Sequence, residues 1–207
     1  MFVLILAAGN STRFNGIKQL ANFNGLSLLQ RCIDLAEQVA ADKYAVVLGG
    51  NFELIKSHLK ANTCYVYNKN WQKGLGNSIK AGLQIMPKNT DAVLLLLADQ
   101  PLITIQQIKQ LLKKFDGNHP ACANYATTKD FPVTGESVIY ESVIGVPAIF
   151  PASYFDQLKT LDDKSGAKKI LKDNQDSLTL VPMSEAKLDI DSKQDFQKIL
   201  EISNSAI

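Results

Sequence analysis

A three-layer α/β fold, with a mostly parallel sheet covered by helices on both faces, is the architecture this sequence predicts. Three observations point to it. Short and continuously apolar segments, Phe2–Leu6 and Ala92–Leu97 among them, read as strands buried on both faces. They alternate with segments of helical period, of which Ser27–Ala41 is the clearest. The resulting β-α-β-α order is what parallel strands need, because each crossover takes a helix's worth of chain.

The first strand, Phe2–Leu6, runs into a polar, Gly-bearing loop that lasts through Lys18. In the helix expected at Ser27–Ala41, Leu28, Leu29, Cys32, Ile33, Leu35, Ala36 and Val39 form one stripe. Tyr44–Leu48 is a second apolar strand, closed by Gly49 and Gly50. Phe52–Lys60 reads as a short helix and Cys64–Tyr67 as a short strand. Asn77–Met86 is helical until Pro87 stops it. Ala92–Leu97 is too short for a helix between its flanking turns, and Thr104–Phe115 is a helix ended by Asp116–Gly117.

Beyond residue 118 the pattern loosens. Pro120–Ala126 and Val146–Phe150 are candidate strands, with a polar stretch at Thr127–Ser142 between them. Tyr154–Leu161 and Gly166–Lys172 look helical, and Leu178–Val181 is a strand. Ser192-x-x-Asp195 is a capping box that opens a last helix to about Ile202. No repeat, linker or low-complexity segment interrupts the 207 residues, so one domain over 1–207 is expected.

Composition excludes several function classes. Hydrophobic residues make up 46% and charged residues 20%, an ordinary globular balance. With 22 Lys and Arg against 20 Asp and Glu, a net charge of +2 gives no electrostatic reason for bulk nucleic-acid or membrane binding. The longest apolar runs, Phe2–Ala8 and Ala92–Ala98, fall far below the ~20 residues of a membrane span. The N-terminus has no basic n-region and does not read as a signal peptide. Cys32, Cys64 and Cys122 are odd in number and widely spaced, which argues for a reducing compartment and a cytoplasmic location. Together with His58 and His119 they show no zinc-ligand spacing, and neither histidine lies near a plausible nucleophile in sequence.

The common nucleotide motifs are missing. There is no G-x-x-x-x-G-K, and Gly74-x-Gly76 lacks a third glycine because position 79 is Ile79. Three other constellations carry chemistry. Ala8-Gly9-Asn10-Ser11 at the carboxyl end of the first strand would aim successive backbone N–H groups into the crevice of an open α/β sheet. Arg13 and Lys18 lie on the same loop, and such cations beside a backbone nest suit a polyphosphate; a solvated basic loop is the competing reading. Asp99, directly after an apolar strand and before Pro101, suits Mg²⁺ held by one carboxylate, waters and phosphates, or else a turn. In Asp189-Ile190-Asp191, i and i+2 at strand spacing share a face, where two carboxylates invite a cation unless they are ordinary surface charges.

These residues carry a resemblance. Residues 6–20, LAAGNSTRFNGIKQL, resemble the signature loop of the MobA-like nucleotidyltransferase family through Leu6, Ala7, Ala8, Gly9, Ser11, Arg13, Phe14 and Lys18. NWQKGLGNSIKAGL, LLLLADQP, GVPAIFPASYFDQL, SGAKKIL and DID are similar to later segments of the family in the same order, so the resemblance spans nearly the whole chain. Asn15 stands where the signature has Gly, and Asn tolerates a left-handed backbone. Within the family the chain looks most like the molybdenum cofactor cytidylyltransferases, although Val146 replaces their usual His.

The resemblance implies a Rossmann-like nucleotidyltransferase fold and transfer of CMP from CTP, or of another NTP's nucleotide, to a molybdopterin-type acceptor. It implies Arg13, Lys18 and Asp99 as catalytic residues, and Ala7, Ala8, Gly9, Ser11, Gly76, Asn77 and Ser78 around the nucleotide. Asp99, Asp189 and Asp191 are implied as holders of Mg²⁺. A molybdoenzyme or its chaperone is an implied partner. A sugar phosphate or other phosphorylated acceptor is the alternative within the class. A catalytically silent protein that delivers the cofactor is the alternative outside it.

Overall fold

The computed structural model describes residues 1–126 and 144–205; the polar stretch expected at Thr127–Ser142 lies outside the described residues. The first half of the chain forms β1 (Phe2–Ala7), β2 (Asn22–Phe23), β3 (Leu26–Ser27), α1 (Leu28–Ala40), β4 (Tyr44–Leu48), α2 (Phe52–Lys56), β5 (Tyr65–Tyr67) and α3 (Leu75–Gln84). The rest forms β6 (Ala92–Leu97), α4 (Ile105–Lys114), β7 (Ala121–Asn124), β8 (Ile144–Pro151), α5 (Phe155–Lys159), α6 (Lys168–Asp173), β9 (Thr179–Pro182) and α7 (Lys193–Ser205).

Seven strands make one sheet in the order β5-β4-β1-β6-β8-β7-β9. The central strand β1 runs parallel to both neighbours, with Leu4 opposite Ala45 on one side and Leu95 on the other. β5 joins β4 in parallel, and β9 joins β7 in parallel. β8 is the exception, antiparallel to both β6 and β7, with Val93 opposite Phe150. The sheet is therefore mostly parallel, as the sequence predicts.

Both faces are covered, which explains why the strands are apolar throughout and do not alternate with polar residues. Along β1, Val3, Ile5 and Ala7 join a core cluster with Leu29, Ile33 and Ala36 of α1, Ile55 of α2, and Ile108 and Leu111 of α4. Phe2, Leu4, Leu6 and Ala8 fall in the opposite cluster, with Ile79 and Leu83 of α3, Leu158 of α5, and Ile170 and Leu171 of α6. A third cluster lies beyond the sheet. It gathers Phe14, Phe23, Leu28, Ile190 and Ile199, and Phe196 packs against it.

Helix starts follow from local chemistry. The Ser27 hydroxyl accepts the Gln30 N–H to cap α1, and Thr104 with Gln107 forms a full capping box on α4. At the last helix Asp195 Oδ2 accepts the Ser192 N–H, while the Asp195 N–H donates to Ser192 Oγ, as the expected box requires. The β2–β3 hairpin turns at Asn24-Gly25, both at positive φ (50° and 89°). That turn needs a left-handed pair, which Asn-Gly supplies. Unlike the other elements it is absent from the sequence reading.

Candidate active site

Because β1, β4, β5 and β6 are mutually parallel, their carboxyl ends share one edge of the sheet, where open α/β sheets bind ligands. The loop after β1 is folded by its own sequence. Ser11 (φ 58°) and Asn15 (φ 51°) take left-handed conformations on either side of a 3₁₀ turn at Thr12–Phe14. Phe14 is buried in the third core cluster, which leaves Arg13 turned outward with its side chain 74% exposed. A second 3₁₀ turn, Lys18–Leu20, buries Gln19.

Gln19 is a site residue that the sequence reading missed. Its amide nitrogen donates to the carbonyls of Ala7 (2.9 Å) and Gly9 (2.6 Å), and its oxygen accepts the Ser11 hydroxyl at 3.0 Å. A lone polar residue between Lys18 and Leu20 gives no sequence signal for this. A Cβ added at Gly9 would meet nothing within 4 Å. Its φ is not left-handed either, so neither the backbone nor the packing accounts for glycine at this position.

Opposite charges converge at this edge. The Lys18 ammonium lies 2.8 Å from Asp99 Oδ2 and 3.6 Å from Asp191 Oδ1, and Arg13 Nη2 donates to Asp191 Oδ2 at 2.8 Å. The Ile190 N–H donates to the Asp99 carbonyl at 2.9 Å, which ties the two acidic segments together. Ile190 is fully buried between Asp189 and Asp191, but the segment is not a strand, so strand spacing does not by itself place the two carboxylates on one face. The Asp189 carboxyl is pushed above the usual carboxylate range by partial withdrawal from water and then by the Asp99 and Asp191 charges.

The donor set fits a hard divalent cation held largely by non-protein oxygens. Asp99 Oδ1 is buried with no hydrogen-bond partner, an acceptor waiting for a donor or a cation. Among the described residues no three acidic, His or Cys side chains form a ready-made metal cage. Mg²⁺ needs none, since it binds through one or two carboxylates and keeps waters and phosphate oxygens. A cleft of about 60 Å³ lies at the foot of this cluster, lined by Leu6, Ala7, Gly9, Lys18, Gln19 and Asp99.

The α3 start is built differently. Side chains at Gly74 and Gly76 would run into the backbone of the 162–165 loop, so glycine here serves close approach between two protein segments. Asn77 donates from its backbone to the Asp163 carbonyl (3.3 Å) and from its amide to the Asp163 carboxylate (3.1 Å). Lys80 donates to the same carboxylate, and the two contacts hold it below the usual range. Ser78 is buried and accepts from the Asn68 amide. The structure thus gathers Arg13, Lys18, Asp99 and the 189/191 pair, while Gly76, Asn77 and Ser78 are engaged with the 162–165 loop and Asn68. Gln100, a second buried glutamine absent from the sequence reading, ties the exit of β6 to the carbonyls of Val146 and Ala186.

Comparison with known proteins gives the family and the fold. A family model described as the MobA-like NTP transferase domain matches residues 3–178. The bifunctional protein GlmU of Pseudomonas putida F1 is 28% identical over 182 residues, 87% of this chain and 37% of that protein. The chain spans 25% to 37% of the length of the curated relatives it first matches. Among solved structures, the Rv0371c homolog from Mycobacterium sp. strain JC1 superposes with a TM-score of 0.81 at 22% identity, covering 100% of this chain and 98% of the other. Molybdopterin-guanine dinucleotide biosynthesis protein A from Archaeoglobus fulgidus superposes with a TM-score of 0.69 at 14% identity, over 99% and 100% of the two chains. At these identities the structural likeness is one of fold.

Proposed function

The chain belongs to the MobA-like NTP transferase family, and we propose that it moves CMP from CTP onto the phosphate of a molybdopterin-type acceptor, releasing pyrophosphate. One observation carries the reading: two phosphate-seeking cations, Arg13 and Lys18, meet the cation-seeking carboxylates Asp99 and Asp191 at the carboxyl edge of the sheet. Each set satisfies the other in the free protein. A nucleotide triphosphate with its divalent ion would satisfy both separately.

In this reading Lys18 and Arg13 bind the triphosphate, Lys18 as a compact charge and Arg13 through its planar fork. The open space at Gly9 admits a phosphate close to the backbone of Ala7, Ala8 and Gly9. Asp99, with Asp189 and Asp191, would hold Mg²⁺. When bound, that ion neutralises charge on the phosphate oxygens and orients them. Gly76, Asn77 and Ser78 border the nucleoside from the α3 side, with the 162–165 loop as their support.

The attacking group is a phosphate oxygen already ionised at neutral pH, so the chain needs to position and neutralise and needs no general base. That fits the placement of its histidines, since His58 contacts Leu54 and His119 contacts Asp116, away from the charge cluster. In this reading the setting is cytoplasmic and the recipient is a molybdoenzyme or its chaperone; among the described residues no helix is long and apolar enough to cross a membrane. A second reading keeps nucleotidyl transfer and takes a sugar phosphate or other small phosphorylated molecule as the acceptor. Pyrophosphate release from CTP and Mg²⁺ with molybdopterin cofactor, compared with sugar 1-phosphates, tests both. Release with neither acceptor would leave cofactor delivery without catalysis.

A further inference from the structure

We propose that Gln19, acting with Ser11, is the positioning residue that aims the phosphate-binding backbone of the β1 loop, and that the Ser11 hydroxyl serves this inward network and does not bind phosphate. The proposal rests on the nucleotide reading above and adds a division of labour within it.

Three successive carbonyls of the loop are held by the protein. Gln19 Nε2 donates to Ala7 O and Gly9 O at 2.9 and 2.6 Å, and the Gly50 N–H donates to Ala8 O at 2.9 Å. A trans peptide points its C=O and the next N–H in opposite directions. Pinning the carbonyls of Ala7 and Gly9 toward Gln19 therefore turns the N–H groups of Ala8 and Asn10 away from it. Gly9, in the middle of this stretch, faces open space. One side chain thus fixes two peptide planes of a segment whose N–H directions decide whether it can bind an anion.

Ser11 completes the device. Its hydroxyl hydrogen goes to Gln19 Oε1 at 3.0 Å, and its oxygen accepts the Lys18 N–H at 3.2 Å. The single proton a serine can donate is therefore spent inside the loop. Through that bond the backbone position of Lys18 is coupled to the orientation of the Gln19 amide. Gln19 is 3% exposed, so water cannot substitute for it at either carbonyl.

Glutamate at this position has nearly the same shape but turns an oxygen toward each carbonyl when ionised. Burial beside carbonyl dipoles raises its pKa above the ordinary ~4.3, so the variant regains a donor as pH falls. The test is calorimetric titration of CTP with Mg²⁺, without acceptor, into wild type, Gln19→Glu, Gln19→Asn and Lys18→Met. At about pH 8, Gln19→Glu is expected to bind on the order of 10–100-fold more weakly than wild type, and the gap should narrow toward about pH 5.5. Gln19→Asn, too short to reach both carbonyls, should lose on the order of tenfold with no such pH dependence, and it carries the test if the glutamate variant does not fold. A role confined to stability would lower the melting temperature and leave Kd alone. Weakened binding in Lys18→Met with both Gln19 variants within about twofold of wild type overturns the positioning role. Unchanged binding in Lys18→Met as well overturns the nucleotide reading.

Discussion

The Lys18 ammonium stands between Asp99 and Asp191, 2.8 Å from one carboxylate and 3.6 Å from the other, on a side chain only 14% exposed. The same pair leaves Asp99 Oδ1 buried and unpartnered. In the proposed function Asp99 would accept a cation when the nucleotide draws Lys18 off. Asp99→Ala is therefore expected to abolish turnover while circular dichroism shows an intact fold. Turnover at the wild-type rate would remove Asp99 from the metal site.

In the proposed function Lys18 is one preorganised charge on the phosphates, so Lys18→Met should cost on the order of 10²–10³ in rate. A solvated surface lysine would give no measurable change. Arg13→Lys should also be damaging, because Arg13 meets Asp191 edge-on through one guanidinium nitrogen and would meet phosphate through a fork that lysine lacks. Steady-state rates at saturating CTP separate the two outcomes from a simple loss of affinity.

Two glycines should respond in opposite ways to one added methyl. At Gly76 the new Cβ would press on the backbone carbonyls of Asp162 and Ser165, which cannot yield without moving the loop. Gly76→Ala should lose ~1–3 kcal/mol, seen as a melting temperature lower by several degrees. At Gly9 there is nothing within 4 Å, so Gly9→Ala should keep its melting temperature and lose affinity for CTP. A destabilised Gly9→Ala would mean that packing, and not a ligand, keeps that position small.

These contrasts show where the sequence was informative. The strands Tyr44–Leu48 and Ala92–Leu97 were legible to the residue because continuous apolar runs have no other use at that length. The Asp189/Asp191 pair stood out by its spacing, although the segment that carries it is not a strand. The antiparallel β8 was not legible, since nothing in an apolar run states its direction. Gln19 and Gln100 were equally hidden, because a buried glutamine is defined by carbonyls distant in the chain. Gly76 was expected near the nucleotide, and close approach of the 162–165 loop requires glycine there independently of any ligand.

The third core cluster couples the two halves of the site. Phe196 of α7 packs edge-on against Phe14 at 5.9 Å and Phe23 at 6.0 Å, with Ile190 in the same cluster. Phe14 adjoins Arg13, and Ile190 separates the two carboxylates. Phe196→Ala should cost ~3 kcal/mol of stability. It should also raise the Mg²⁺ concentration needed for half-maximal rate, as the 189/191 segment loses its anchor. A stability loss with unchanged metal dependence would show that the Ile190–Asp99 backbone bond alone sets the register.

Base choice is the prediction that the structure alters most. The resemblance implies a pyrimidine, since Leu6-Ala7-Ala8-Gly9 stands where guanylyl-transferring relatives more often read L-A-G-G, on the expectation that a methyl at position 8 intrudes on the nucleoside. Ala8 is in fact 7% exposed and belongs to the core cluster that includes Ile79 and Leu83 of α3. Its methyl therefore helps set how the end of β1 sits against α3 and does not project into open space. An effect on the base must then act through that spacing, and one methyl in a pocket is worth only ~1–3 kcal/mol, so the preference should be graded. CTP with Mg²⁺ is expected to raise the melting temperature more than GTP at equal concentration, because tighter binding stabilises by mass action. Ala8→Gly should shrink that difference. Equal shifts in the wild type would leave family membership intact and remove the case for cytidylyl transfer, while a larger shift with GTP would assign the chain to guanylyl transfer.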